Sequence, residues 1–195
     1  VGVHRLRGHF DDRMEPEMTE RFESVWKRLS ERFIPNEFPL PGAFGTVLEH
    51  HHRVMSVEAA AWHRDHFRRH PDDYPPRVRS LIESGLATAA PDYVETLGHQ
   101  ADLRRAFRYG GHELPVSLTP ATTGPAVDAA TTGDPAMNSP WSYLGYPTIS
   151  LPFDWSSAGL PLAIQLVSHA DTNELFSTSL ALEDFISFPR RDLPL

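Results

Sequence analysis

The chain has 195 residues, of which 40% are hydrophobic and 10% aromatic, enough to bury a core within one domain or a large piece of one. A formal charge of -8 argues against a nucleic-acid backbone as partner, because such binding needs a clustered excess of Lys and Arg. The absence of cysteine excludes disulfides, a thiolate nucleophile and Cys-ligated zinc, and it fits a reducing compartment. No apolar run approaches the ~20 residues of a membrane span, and the opening VGVHRLRGHFDDR is too charged for a signal peptide. These features give the expectation of a soluble, cytoplasmic chain.

VGVHRL (Val1 to Leu6) alternates as a strand does, and Gly8 marks its end. Pro16 fits the first turn of a helix that carries Phe22, Val25, Trp26, Leu29 and Phe33 on one face, and Pro35 stops the run. Pro35, Pro39, Pro41 and Gly42 read as a loop before a long helix from about Phe44 to His70. Pro71, Pro75 and Pro76 break that helix; a short one over Arg77 to Leu86 follows, and Pro91 opens another that reaches about Tyr109. After Gly110 and Gly111 the pattern changes to short apolar runs, LPVSL, TISL and LPLAIQLV, which read as buried strands joined by Pro, Gly and Ser-rich loops. The last element is a helix over Thr172 to Phe188, with Asp171 and Glu174 at capping-box spacing and Pro189 at its end. Helices in the middle and strands at both ends predict an α/β layered fold without internal repeat or domain linker.

A hydrolase needs a nucleophile with a base in reach, so the serine arrangements are weighed first. Ser24 and Lys27 have Ser-x-x-Lys spacing, but Lys27 is the only lysine, so no Lys-Thr-Gly companion exists and the pair reads as part of an amphipathic helix. Ser156 and Ser157 lie in DWSSAG between two predicted strands, without glycines that would let backbone amides crowd an oxyanion, and read as a turn. No Gly-x-Ser-x-Gly elbow anchors a Ser, His, acid triad. His63, His66 and His70 share a helical face that could hold zinc or nickel, yet Arg64, Asp65, Arg68 and Arg69 surround them and no His-Glu-x-x-His is present; a charged, solvated flank explains them better. The strand ending in Thr119 and Pro120 and opening into Ala121, Thr122 and Thr123 puts small side chains and free backbone groups at a strand end, where ligands dock in α/β folds. The alternative there is a tight loop whose hydroxyls satisfy their own backbone.

The ordered series SLTPATTGPA (Ser117 to Ala126), GDPAMNSPW, GYPTISLP and GLPLAIQLV (Gly159 to Val167) resembles the C-terminal, substrate-side segment of the amidase signature family. The likeness runs over nearly the whole chain and is strongest from Leu118 to Val167. It implies the C-terminal part of an amidase-signature fold, a mixed β-sheet flanked by helices, so that residues 1 to 195 would form a partial domain without the N-terminal catalytic half. The activity implied is hydrolysis of linear carboxylic amides by a Ser, cis-Ser, Lys triad: serine attacks the amide carbon, a lysine-fed relay releases the amine or ammonia, and water clears the acyl enzyme. That triad lies upstream in the family and cannot be assigned to any residue here, so no catalytic residue is named.

The opening Val1, in place of an initiating Met, gives the expectation that the chain starts mid-protein. By motif match the substrate-pocket wall falls on Thr119, Pro120, Ala121 and Thr122 on one side and Asn138 and Trp141 on the other. No metal or organic cofactor is implied. The partners implied are a small-molecule amide and a separate N-terminal amidase half or a second copy, with no nucleic acid and no membrane. Ala163 stands where the family has glycine, VSHADTNEL replaces a Gly-rich turn, and the segment between Phe33 and Phe44 is short for a family strand and loop. With the missing triad, these departures keep a second reading open, a non-catalytic protein that retains the fold as a binding or interaction surface.

Overall fold

A computed structural model describes residues 2–110 and 116–189. Strand β1 (Gly2–Leu6) leads into helix α1 (Pro16–Arg32), and β2 (Ile34–Phe38) returns beside β1 in parallel register, Gly2 against Ile34 through Leu6 against Phe38. Three helices follow, α2 (Val47–Arg69), α3 (Pro76–Ala87) and α4 (Ala90–Gly110), before β3 (Val116–Pro120) enters on the other side of β1. The short helix α5 (Ser139–Leu144) precedes a hairpin of β4 (Thr148–Trp155) and β5 (Pro161–Ser168), and α6 (Thr172–Ile186) closes the described fold. The sheet is mixed and five-stranded, in the order β2-β1-β3-β5-β4, with the first three strands parallel and β5 antiparallel to both neighbours.

Side-chain alternation along the strands divides the interior into two cores. Leu118, Ile164 and Leu166 point to the layer formed by α1 and α6, where Met18, Phe22, Val25, Leu29, Leu175 and Leu182 are buried. Val167, one residue along, faces the opposite layer of Phe44, Val47, Leu103, Phe107, Trp141 and Leu144, contributed by the Gly42–Thr46 turn and by α2, α4 and α5. The α/β layering expected from the sequence is therefore present, with helices on both faces of one sheet.

Four features differ from the sequence reading. The segment after Pro35, expected as loop, contains β2; this strand sits at the sheet edge, where a proline costs no ladder bond on its open side. The second helix starts at Val47, because Gly42–Thr46 forms a 3-10 turn first. The final helix stops at Ile186, where Ser187 takes φ 48, and Phe188 lies beyond it with its ring stacked on Trp155. Helix α5 and the 3-10 turn Pro135–Met137 occupy a stretch expected as loop; Asp134 starts that turn by accepting a bond from the Ala136 amide at 2.9 Å. Of the expected strand LPVSL, Leu114 and Pro115 lie outside the described residues. Asp171 caps α6 as expected, accepting from the Asn173 amide at 2.9 Å.

Candidate functional site

Beyond Pro120 the chain keeps pairing for one residue, the Ala121 amide donating to the Ala163 carbonyl at 3.0 Å, and then turns away. The Thr122 hydroxyl closes that turn by donating to the Gly124 carbonyl at 2.6 Å, as a self-satisfied loop does. The Ala121 carbonyl accepts from the Asn138 amide nitrogen at 3.3 Å, and the Asn138 oxygen accepts from the Gln165 side-chain nitrogen at 2.7 Å. This relay has a fixed direction. A backbone carbonyl can only accept, so Asn138 must turn its NH2 to Ala121 and its oxygen to Gln165, which turns the Gln165 oxygen away. That oxygen is buried without a partner among the described residues, and so is the hydroxyl of Thr119, which stands opposite Gln165 in the β3–β5 register.

The structure thus brings Thr119, Pro120, Ala121, Thr122 and Asn138 together where β3 ends, with Thr119 and Ala121 buried and Thr122 and Asn138 exposed. Trp141 is placed differently, three residues into the loop and helix after Asn138. It is 1% exposed, stacked on Phe10 with ring centroids 5.5 Å apart, and belongs to the second core. Gln165 was missed by sequence reasoning, although a lone long polar side chain inside the apolar run LAIQLV is a visible signal. On the neighbouring strand Ser150 pairs with Gln165 and is exposed, as are Thr148 and Pro152, so this face of β4 is open. Strand β4 is also one of the two outer strands of the described sheet, and no described strand pairs with its far side.

Behind the relay lies a buried polar pair. The Ser117 hydroxyl and His169 Nε2 are 2.6 Å apart, and the His169 ring stacks on Phe107 at 4.8 Å between centroids. Burial first, and the neighbouring His4 second, push the His169 pKa down to about 4, so the ring is neutral. Helix α5 is anchored to α4 by the Tyr143 hydroxyl, which donates to the Thr96 carbonyl at 2.7 Å and whose pKa burial pushes up to about 12. Gln100 donates to the Tyr143 carbonyl and Arg104 Nε to the Leu144 carbonyl at 2.8 Å, satisfying the last turn of α5.

The remaining candidates have local partners or lie in solvent. Ser24 and Lys27 are both exposed on α1. Ser156 forms the β4–β5 turn, its hydroxyl accepting from the Leu160 amide at 3.0 Å, and Ser157 bonds the Glu17 carboxylate. His63 meets the Tyr74 hydroxyl at 3.0 Å and His66 meets Asp73 at 3.5 Å, so the histidine face of α2 folds against the Pro71–Tyr74 turn. Among the described residues no group of three His, Asp or Glu side chains is arranged to hold a metal ion, and no helix is long and apolar enough to cross a membrane.

No protein-family model matches the sequence. The chain is 26% identical over 217 residues to an amidase of Pseudomonas putida, an alignment covering 97% of this chain and 45% of that protein. It superposes on the crystal structure of an amidase with a TM-score of 0.84 at 25% identity, covering 94% of this chain and 45% of the other. A bacterial aryl acylamidase of the amidase signature family shares the fold with a TM-score of 0.67 at 14% identity, over 94% of this chain and 44% of that one. The fold is that of the amidases. The chain is similar to the C-terminal part of these amidases and shares its fold with an enzyme of the amidase signature family, spanning less than half the length of the relatives it resembles.

Proposed function

We propose that residues 1 to 195 are the C-terminal portion of a carboxylic amide hydrolase, a partial amidase-signature domain that supplies one wall of the substrate pocket and does not turn over substrate alone. The observation that carries this reading is the match of nearly the whole chain to under half of an amidase at a TM-score of 0.84. In this proposal the serine nucleophile, the bridging cis-serine and the lysine base belong to an N-terminal half, which binds here together with a small-molecule amide. The pocket wall consists of Thr119, Pro120, Ala121 and Thr122 facing Asn138, and Trp141 supports it from the core side. The amide relay from Gln165 through Asn138 to Ala121 supports that assignment, because it fixes two loops to each other at the strand end.

The open side of β4 supports a partner half. A strand of eight residues presents unpaired backbone donors and acceptors to a further strand, and its exposed Thr148, Ser150 and Pro152 offer a surface beside the pocket wall. The absence of cysteine fits a reducing, cytoplasmic setting for the assembled enzyme. Co-purification tests this reading: tagged chain captures a co-expressed N-terminal amidase half, and Ser150→Pro on the open strand weakens capture. Failure of capture by a folded chain favours the second reading, a non-catalytic protein that uses the same fold as an interaction surface. The observation behind that alternative is that both faces of the sheet are already covered by helices, with two filled cores.

A further inference from the structure

Away from the pocket wall, α4 and the end of α5 enclose a cleft of about 540 Å³ whose walls carry Arg104, Arg105 and Arg108. A chain with net charge -8 has no general excess of cations, so three guanidinium groups around one cleft form a local reversal of sign. Arg105 is paired with Asp102 at 3.1 Å. Arg104 and Arg108 make no ion pair among the described residues. Being four residues apart on one helix, they share a face, and both lie close enough to the Tyr146 phenol to act on its charge. Like charges on one face repel, and a negative guest between them removes that penalty.

Arg104 is prepared for such a guest. Its Nε is held by the Leu144 carbonyl at 2.8 Å, which fixes the plane of the guanidinium and leaves its two terminal nitrogens without a carboxylate partner among the described residues. The group lies across Gly145, where a Cβ would come within 3.1 Å of an Arg104 terminal nitrogen and where φ is +67. Glycine therefore serves two ends at once: it ends α5 in the left-handed conformation, and it lets the guanidinium approach the backbone. Leu144 and Tyr146 complete the cleft with an apolar wall and a half-buried aromatic ring.

We propose that this cleft is a binding site for a small oxyanion, a carboxylate or a phosphate group, held by the forks of Arg104 and Arg108 and separate from the pocket wall at Thr119 and Asn138. A planar fork matches either oxyanion with paired hydrogen bonds, which a diffuse cationic surface does not. Titrating the purified chain at low ionic strength with inorganic phosphate in one series and sodium acetate in another, followed by calorimetry and by the arginine Nε–H signals, tests the site and tells the two chemistries apart. Expected is saturable binding of at least one anion, weakened by added sodium chloride and lowered tenfold or more in Arg108→Gln, whose melting temperature stays that of the parent because Arg108 is exposed and makes no ion pair among the described residues. Absence of saturable binding, or binding that Arg108→Gln leaves unchanged, overturns the proposal and reduces the arginines to partners of the negative end of α4.

Discussion

His169 is a base that its surroundings keep neutral: the ring is 9% exposed, stacked on Phe107 and bonded to Ser117. Its folded pKa of about 4 lies below the ordinary 6.5, so the unfolded chain takes up a proton over a range in which the folded chain does not. The stabilisation from neutral His169 is complete above pH 6.5 and is lost as pH falls toward 4, amounting to roughly 2 kcal/mol between pH 7.5 and pH 5. Urea unfolding at these two pH values measures the loss, and His169→Gln, which cannot titrate, should show a pH difference smaller by about that amount. His9, His50 and His51 are also shifted down by burial and add to the loss in both proteins, which is why the difference between them is the informative quantity. The Thr and Pro-rich turn at Thr119 to Thr122 was legible in the sequence because small residues and prolines end strands there, whereas Asn138 was singled out only by the resemblance of GDPAMNSPW to a family motif. The orientation of Trp141 was not legible, since a pattern of one short helix does not say which of its sides meets the core, and here the ring stacks on Phe10.

Gly85 decides how two elements meet. Where α3 crosses α2, a Cβ on Gly85 would stand 1.9 Å from the Ser56 carbonyl oxygen and 2.8 Å from the Ala60 Cβ, so the helices touch backbone to backbone. Gly85→Ala must push them apart; expected is a loss of about 3 kcal/mol or more, read as a lower midpoint in urea with α2 and α3 amides the first to gain hydrogen exchange. Gly98→Ala, at a helical site with open space around it, serves as the matched change and should be neutral or slightly stabilising. The long helices were readable because apolar residues recur along them and prolines punctuate them. Strand β2 was not, since Pro35 and Pro39 hid it among loop signals, and only its place at the sheet edge makes a proline harmless there. Helix α5 was missed because it has six residues and a proline near its start, too short for a period to show, and it is held by α4 through Tyr143 and Arg104.

Among the described residues the molecule is a helix-covered sheet edged by β2 and β4, similar to less than half of an amidase. The likeness to amidases was legible because several short motifs occur in a fixed order, and each of them builds a definite part of the fold. SLTP is a buried strand, GDPAMN a capped turn, and GLPLAIQLV the strand that carries Gln165. The number of strands in the described sheet and the polar relay across the motifs could not be read, since both depend on contacts between residues far apart in the chain. Turnover is the most direct measurement of the central claim. Purified chain is assayed against simple aliphatic and aryl amides, alone and with a co-expressed N-terminal amidase half that carries the serine and lysine. Expected is no hydrolysis above background by the chain alone and hydrolysis by the pair. Enzyme-like turnover by the 195-residue chain on its own, abolished by a single serine substitution within it, would contradict the claim.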